Sequence, residues 1–272
     1  MKKVVITFCF LLFAFYLSAQ TPKNNFPFFH NMKGERKVVA DTAILRVAPS
    51  TGAAITDTIF VGDEINILMQ VPYSEVRNHV ASPWLKVTYK KGNYTKVGFA
   101  SAIDIAINEK LHINDVDIAF GVLKNDRKDS LVNSELTSVN YYKCRLVAFR
   151  KNKYVDDLVF NAPRNFSVDS MATSILQKTN LKKTVAVFRL LLSSKDDHEG
   201  DFKLNFVLCN ANKLVQLPSL HSYLLKVSKN WVNEDLLFHY QSKDFAVISR
   251  EQNTPFGGKT FYKWNGCGFK EL

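Results

Sequence analysis

Regular alternation of apolar and polar residues begins at Val38, and from there to about Ile105 short runs rich in Val, Ile and Thr are separated by turn residues at close intervals. A period of two places successive side chains on opposite faces of an extended chain, so runs of this kind bury one face only as strands of a small barrel or sandwich. The stretch AILRVAPSTGAAITDTIFVGDEINIL, Ala43 to Leu68, shows the pattern in full. Leu45 and Val47 flank Arg46, Pro49 to Gly52 turn the chain before Ile55, and Gly62-Asp63 turns it again into Glu64-Ile65-Asn66-Ile67.

The residues before this unit read differently. MKKVVITFCFLLFAFYLSAQ, residues 1–20, has two lysines, an apolar run from Val4 to Leu17 and small residues at Ser18 and Ala19, the layout of a secretory signal peptide cleaved near Ala19 or Gln20. Its 14-residue run falls short of the roughly 18 needed to span a bilayer, and Cys9 lies mid-run, where lipidation is not expected. Residues 21–36, TPKNNFPFFHNMKGER, carry two prolines and no period and read as a linker. Removing the signal takes away two lysines and no acid, which leaves 34 basic against 25 acidic residues, a formal +9. The lysines are scattered, as Lys90, Lys91, Lys96, Lys151, Lys153, Lys182 and Lys183 show, so they read as solvated strand faces and no nucleic-acid partner is expected.

After about residue 107 the texture becomes polar with brief apolar islands, which places a junction near Asn108 to His112 and a second, β-rich domain over residues 108–272. Strands are expected at Tyr141–Phe149, Tyr154–Phe160, Thr184–Leu192, Phe202–Leu208, Lys213–Leu217, Leu236–Tyr240, Phe245–Ile248 and Thr260–Trp264. One short helix is expected over Ser167–Asn180, with Ser167 or Asp169 as its N-cap and Met171, Ile175 and Leu176 on one face. FVLCNANKLVQL, Phe206 to Leu217, aligns without a gap on FYKWNGCGFKEL, Phe261 to Leu272, and Val147 to Leu158 offers a weaker third copy. Each copy reads as a hairpin turning on Asn or Gly, and such recurrence suggests repeated, propeller-like hairpins.

TAILRVAPST, then DTIFVGDEINIL, then PWLKVTY, then KVGFASAIDI occur in that order, and together they resemble the bacterial SH3-like (SH3b) domain. Its pattern runs Leu-x-Val-Arg-x-x-Pro-Ser, a Gly-Asp turn, Trp-x-x-Val and Gly-Tyr-Val. The correspondence covers Val38 to roughly Ala106, within a domain taken as residues 37–107. Gly98-Phe99 stands in place of Gly-Tyr, and QVPYSEVRNHVASP between Met69 and Trp84 is a longer connection than the family has. The resemblance implies a small barrel whose aromatic groove receives extended peptides, in some relatives the peptide part of peptidoglycan. It points to Tyr73, Trp84, Tyr89, Tyr94 and Phe99 as ligand-binding candidates, with the connection Gln70 to Pro83 as the place where specificity would reside. One SH3b module followed by a β domain ending in FYKWNG also resembles a group of exported proteins from Bacteroidetes-type bacteria, which implies an address but no activity.

Chemistry-bearing patterns are sparse. SH3b domains accompany papain-like cell-wall peptidases, and Cys144 precedes His198 and His221 at spacings compatible with a nucleophile and its base. NYYKCRLVAF nevertheless alternates like a strand, where that nucleophile would open a helix. KDDHEGD, Lys195 to Asp201, lacks the regular acidic spacing of a calcium loop, PFGGKT lacks that of a phosphate loop, and the six histidines form no metal pair. Neither a metal nor a cofactor is expected. Cys144, Cys209 and Cys267 allow one disulfide or three free thiols. The expectation is a mainly β, secreted or periplasmic, noncatalytic protein that binds a cell-envelope peptide or protein. A hydrolase using Cys144 and a structural or assembly protein are the alternatives.

Overall fold

The computed structural model describes residues 26, 28–109, 111–113, 115–132, 135–162, 166–175, 184–194, 201–209, 212–217, 220–225, 230–238, 245–252 and 258–272. They form 21 strands and one 3₁₀ turn, Ala102–Asp104. The mainly β expectation is met, with curled antiparallel sheets throughout.

The first sheet contains β1 (Gly34–Lys37), β2 (Thr42–Arg46), β3 (Ile55–Phe60), β4 (Glu64–Arg77), β5 (Val80–Lys91) and β6 (Tyr94–Ser101) in the order β1-β4-β5-β6-β2-β3. Its alternation works as the sequence requires: Ala43, Leu45, Ile59, Ile65, Ile67, Leu85, Val87 and Ala100 are buried on the inner face. β2 reaches β6 through one registered pair, Arg46 with Phe99. Gly98 permits that approach, because a Cβ there would lie 2.6 Å from Leu45 Cγ. After the 3₁₀ turn, Ile105 bridges back to Val38.

Two sequence expectations change here. The linker reading of residues 21–36 does not hold for the described part: Phe26, Phe28, Phe29 and Met32 are buried, and Phe28 meets Tyr142 edge-on at 4.5 Å. Their apolar side chains outweigh the prolines that made the segment look like a tether. The connection Gln70–Pro83 is not an open loop either. It continues β4 and β5 as a hairpin turning at Asn78 and His79, both at positive φ (53° and 60°), the two-residue turn whose twist suits antiparallel strands.

The chain continues through β7 (Leu111–Ile113), β8 (Val116–Asn125), β9 (Lys128–Val132), β10 (Glu135–Val139), β11 (Tyr142–Arg150) and β12 (Lys153–Asn161). β9 and β10 pair alone, while the others form a sheet in the order β12-β11-β8-β7. β13 (Phe166–Ile175), β14 (Thr184–Ser194), β15 (Asp201–Cys209), β16 (Lys213–Gln216), β17 (Leu220–Leu225), β18 (Asn230–Phe238), β19 (Phe245–Gln252), β20 (Gly258–Trp264) and β21 (Phe269–Glu271) make a nine-stranded sheet. The expected helix is therefore corrected: Ser167–Ile175 lies in β13, paired with β14, and residues 176–180 fall outside the described residues. Ladder pairing with the apolar β14 overrides a weak local helical pattern.

The hairpins read as repeats are real, but they are not equivalent blades. Cys209 pairs with Lys213 across a three-residue turn, whereas Trp264 pairs with Phe269 across four residues, so the gapless alignment slips by one in register. Both belong to one continuous sheet. Asn212 and Gly266 take the positive φ that their turns require.

That sheet is curled enough to touch itself. Cys209 ends the third strand in its order, Cys267 sits in the turn between the last two, and the two are joined by a disulfide with Cα atoms 5.6 Å apart. Val187, Val207, Leu217 and the fully buried Trp264 pack around Cys209. A cross-link closing 58 residues removes unfolded-state freedom corresponding to about 4 kcal/mol. Replacing both Cys209 and Cys267 with Ala is therefore expected to lower unfolding stability by that order in urea titrations, and an unchanged midpoint would contradict the closure argument.

Lys37 joins the first sheet to the second. It is 4% exposed, and its Nζ donates to Asn152 Oδ1 at 3.0 Å and to the Gly62 carbonyl at 3.4 Å. Asp117 Oδ2 and Glu64 Oε2 lie 3.5 and 3.6 Å away, and the Phe149 ring centroid is 5.3 Å distant. Gly62 at φ 88° sits against the same ring, and a Cβ there would come within 2.7 Å of it. A buried cation with this many partners is costly to delete, because the carboxylates, the Gly62 carbonyl and the Asn152 amide oxygen around it would each lose one of their contacts inside the fold. Lys37→Met is expected to destabilise the chain by about 3 kcal/mol, and Gly62→Ala by a similar order through strain and overlap; chemical denaturation of each variant measures this.

Candidate functional site

Register decides which of the five candidate aromatics share a face, since residues paired directly across antiparallel strands point the same way. On β5, Leu85, Val87 and Tyr89 point to the inner side of the curled sheet, and Trp84 and Lys86 alternate to the other side, where Trp84 is nevertheless buried at 3% exposure and Lys86 is half-buried. Tyr89 is buried and its hydroxyl donates to Asp63 Oδ2 at 3.0 Å, and burial pushes its pKa up to about 12. Tyr94 is 77% exposed at the β5–β6 turn, paired with Lys91. Tyr73 is 58% exposed in the irregular stretch between Gln70 and Ser74. Trp84 pairs with Ser101, Phe99 pairs with Lys86, and the irregular stretch of β4 runs opposite Trp84. The structure thus places Trp84, Phe99 and the Tyr73 segment on one side, with Trp84 buried, Phe99 half-buried and Tyr73 exposed, and leaves Tyr89 and Tyr94 apart.

The outer face holds residues the sequence reading missed. One row crosses five strands through directly registered pairs: Ile55 with Arg46, Arg46 with Phe99, Phe99 with Lys86, and Lys86 with Met69. It alternates apolar and cationic groups. Ile55 and Met69 are 59% and 49% exposed, and Arg46, Phe99 and Lys86 are half-buried. The signal in the sequence was faint, because two bulges bring these residues into register, one at Leu45/Arg46 and one at Ile67/Met69. Arg46 Nη1 donates to the Ala53 carbonyl at 2.6 Å, which fixes the guanidinium beside the turn.

Beside this row lies a polar network. Ser101 Oγ donates to Glu75 Oε1 at 2.5 Å and lies 3.1 Å from Ser82 Oγ, which accepts from the Ile103 amide at 2.9 Å. Arg77 ion-pairs with the buried Asp104. Burial pushes the Asp104 carboxyl up to about 6 against the pull of Arg77, with Glu75 adding to the rise. The Gln70–Pro83 hairpin is tied down at its far end too. The Asn125 amide donates to the Asn78 carbonyl at 3.0 Å, and Asn78 Nδ2 donates to the Leu123 carbonyl at 3.1 Å. Its tip is therefore held against β8, while Tyr73 and Val76 within it stay exposed.

Cys144 gives no nucleophile. It is fully buried in β11, and burial pushes its thiol well above the ordinary range. His198 and most of KDDHEGD lie outside the described residues, as do residues 255–257 of PFGGKT; His221 lies on β17. Among the described residues no group of three or more His, Cys, Asp or Glu is placed to hold a metal, and no helix is long and apolar enough to cross a membrane. No family model, curated protein or solved structure matches this chain.

An acid raised in the folded state binds its proton more tightly there, so its contribution to stability is complete below the unfolded pKa near 3.8 and is lost as pH rises through about 6. Relative to Asp104→Asn, the wild type is therefore expected to gain about 2 kcal/mol between pH 7 and pH 4.5. Urea titrations of both proteins at the two pH values measure this; parallel pH dependence would contradict it.

Proposed function

We propose that this is an exported, noncatalytic binding protein whose N-terminal SH3b-like barrel docks onto a cell-envelope peptide or peptidoglycan-type ligand. The observation that carries the reading is the outer face of β2 to β6, where the half-buried Phe99 lies beside the exposed Ile55 and Met69 and a lysine without an acidic partner among the described residues, while Trp84 on the same side is itself buried. A surface of this composition, rimmed by polar residues, is the usual character of a recognition patch. The barrel reading draws on the meander β4-β5-β6, the 3₁₀ turn after it and the return bridge to Val38, in the order of the four sequence blocks.

Export draws on the N-terminal signal pattern and on the disulfide. A bonded Cys209–Cys267 suits an oxidising compartment, and the third cysteine, Cys144, is buried where it cannot compete for either partner. The same burial counts against the hydrolase alternative, because a nucleophilic thiol needs thiolate character and access.

The test uses the full mature chain, because the barrel shares its core with Phe28, Phe29, β8 and β11. Incubated with isolated sacculi, it is expected to co-sediment and to release no soluble fragments on zymography. Equal recovery in the supernatant with and without sacculi would overturn the binding reading, and any clearing by the wild type would overturn the noncatalytic one, with its loss in Cys144→Ala assigning it to that thiol.

A further inference from the structure

The row across the barrel sets the chemical class of its occupant. Four interstrand steps of about 4.8 Å make it about 19 Å long, the span of roughly six residues of extended chain. Along it, Ile55, Phe99 and Met69 offer three apolar contacts separated by Arg46 and Lys86. The flanking row on one side, Val97, Thr88 and Asn66, carries no charge. On the other side are Trp84 and Ser101, and beyond them the Glu75 carboxylate is engaged by Ser101 and lies 3.8 Å from Arg77 Nε. Asp57, the acid of β3, is turned away: it holds Lys91 and Lys96 at 3.0 and 2.8 Å. Lys86 therefore faces solvent with no carboxylate beside it, while the basic side chains around Asp57 are already matched.

We propose, resting on the binding reading above, that this row receives a short acidic peptide that also carries apolar side chains, laid across the strands from β4 to β3 in a conformation other than a regular strand, since a strand would turn every second side chain away from the row. Apolar side chains of the peptide have Met69, Phe99 and Ile55 to seat on, and its carboxylates have Lys86 and the remaining N–H groups of Arg46. Addition of the peptide as a further strand to β4 is disfavoured, because Pro72 and two register breaks interrupt that edge. The preference for an acidic peptide follows from charge: a lysine peptide would bring like charges onto Lys86 and Arg46, and an uncharged one would offer neither cation a counter-charge.

The experiment measures fluorescence anisotropy of three labelled hexapeptides, alternating Glu/Leu, Gln/Leu and Lys/Leu, with the full mature chain and its Lys86→Glu and Met69→Glu variants. Thermal unfolding of each variant confirms that it is folded. Expected are binding of the Glu/Leu peptide that weakens with salt, at least tenfold weaker binding of the other two peptides, and at least tenfold loss in either variant. Equal affinity for Glu/Leu and Gln/Leu, or unchanged affinity in both variants, would overturn the proposal. Sacculus sedimentation of the same variants separates it from the broader reading. Retention of wild type and Lys86→Glu alike leaves the envelope reading standing and removes this one. Row-dependent peptide binding without sacculus retention does the reverse.

Discussion

A lysine ammonium withdrawn from water must find oxygen or aromatic partners, and Lys37 finds them on three separate parts of the chain. Asn152 comes from the turn between β11 and β12, Asp117 from β8, and Gly62 and Glu64 from the barrel itself. The charge can be satisfied only when those segments meet in one relative placement. Gly62 and Phe149 impose the same placement sterically, since the ring occupies the space a side chain at 62 would need. Asn108 reinforces it nearby, accepting from the Phe120 amide at 2.7 Å and donating to the Ile118 carbonyl at 3.0 Å. A position that reads as a junction between domains is thereby built into the sheet beyond it, and the buried cluster runs without a break from Phe26 to Leu214.

The C-terminal sheet meets a different constraint. Nine antiparallel strands accumulate twist, and a sheet of that size curls or splits to bury its apolar face. Here it curls, and Trp264 fills the space where the last hairpin returns to β15. The disulfide fixes that return. The slip of one residue between the two similar hairpins matters at this point, because the extra turn position gives room for Cys267 beside Cys209.

Legibility in the sequence followed burial geometry. β2, β4, β5 and β6 bury one face and expose the other, so their period of two was readable, as were β11, β12, β14, β15 and β20. β8, Val116–Asn125, was read as polar texture with apolar islands; it is buried at seven consecutive positions and so shows no alternation. β13 carries Ser and Asp at positions that also suit a helix start, and its register to β14 breaks between Ser167 and Ala172, so local pattern pointed the wrong way. In the site, Trp84 and Phe99 were found because they match a motif. Lys86, Met69, Arg46 and Ile55 were not, because their alignment depends on two bulges that no local signal announces.

The placement of the row follows from the same locking that buries Lys37. β1 and the end of β4 near Glu64 are covered by β8 and the β11–β12 turn, and the tip of the β4–β5 hairpin is held on β8 through Asn78. Those contacts occupy two margins of the first sheet's outer surface. The stretch between them, where β4, β5, β6, β2 and β3 lie in register, keeps exposed apolar side chains beside Lys86 and Arg46, which have no acidic partner among the described residues. Exposing such groups on a rigid sheet brings no gain in folding, since burial would stabilise Ile55 and Met69 by roughly 1.5–3 kcal/mol each. Ile55 and Met69 stay exposed all the same, and the proposed binding rests on that: a ligand that meets a row already fixed by the sheet loses only its own freedom on binding.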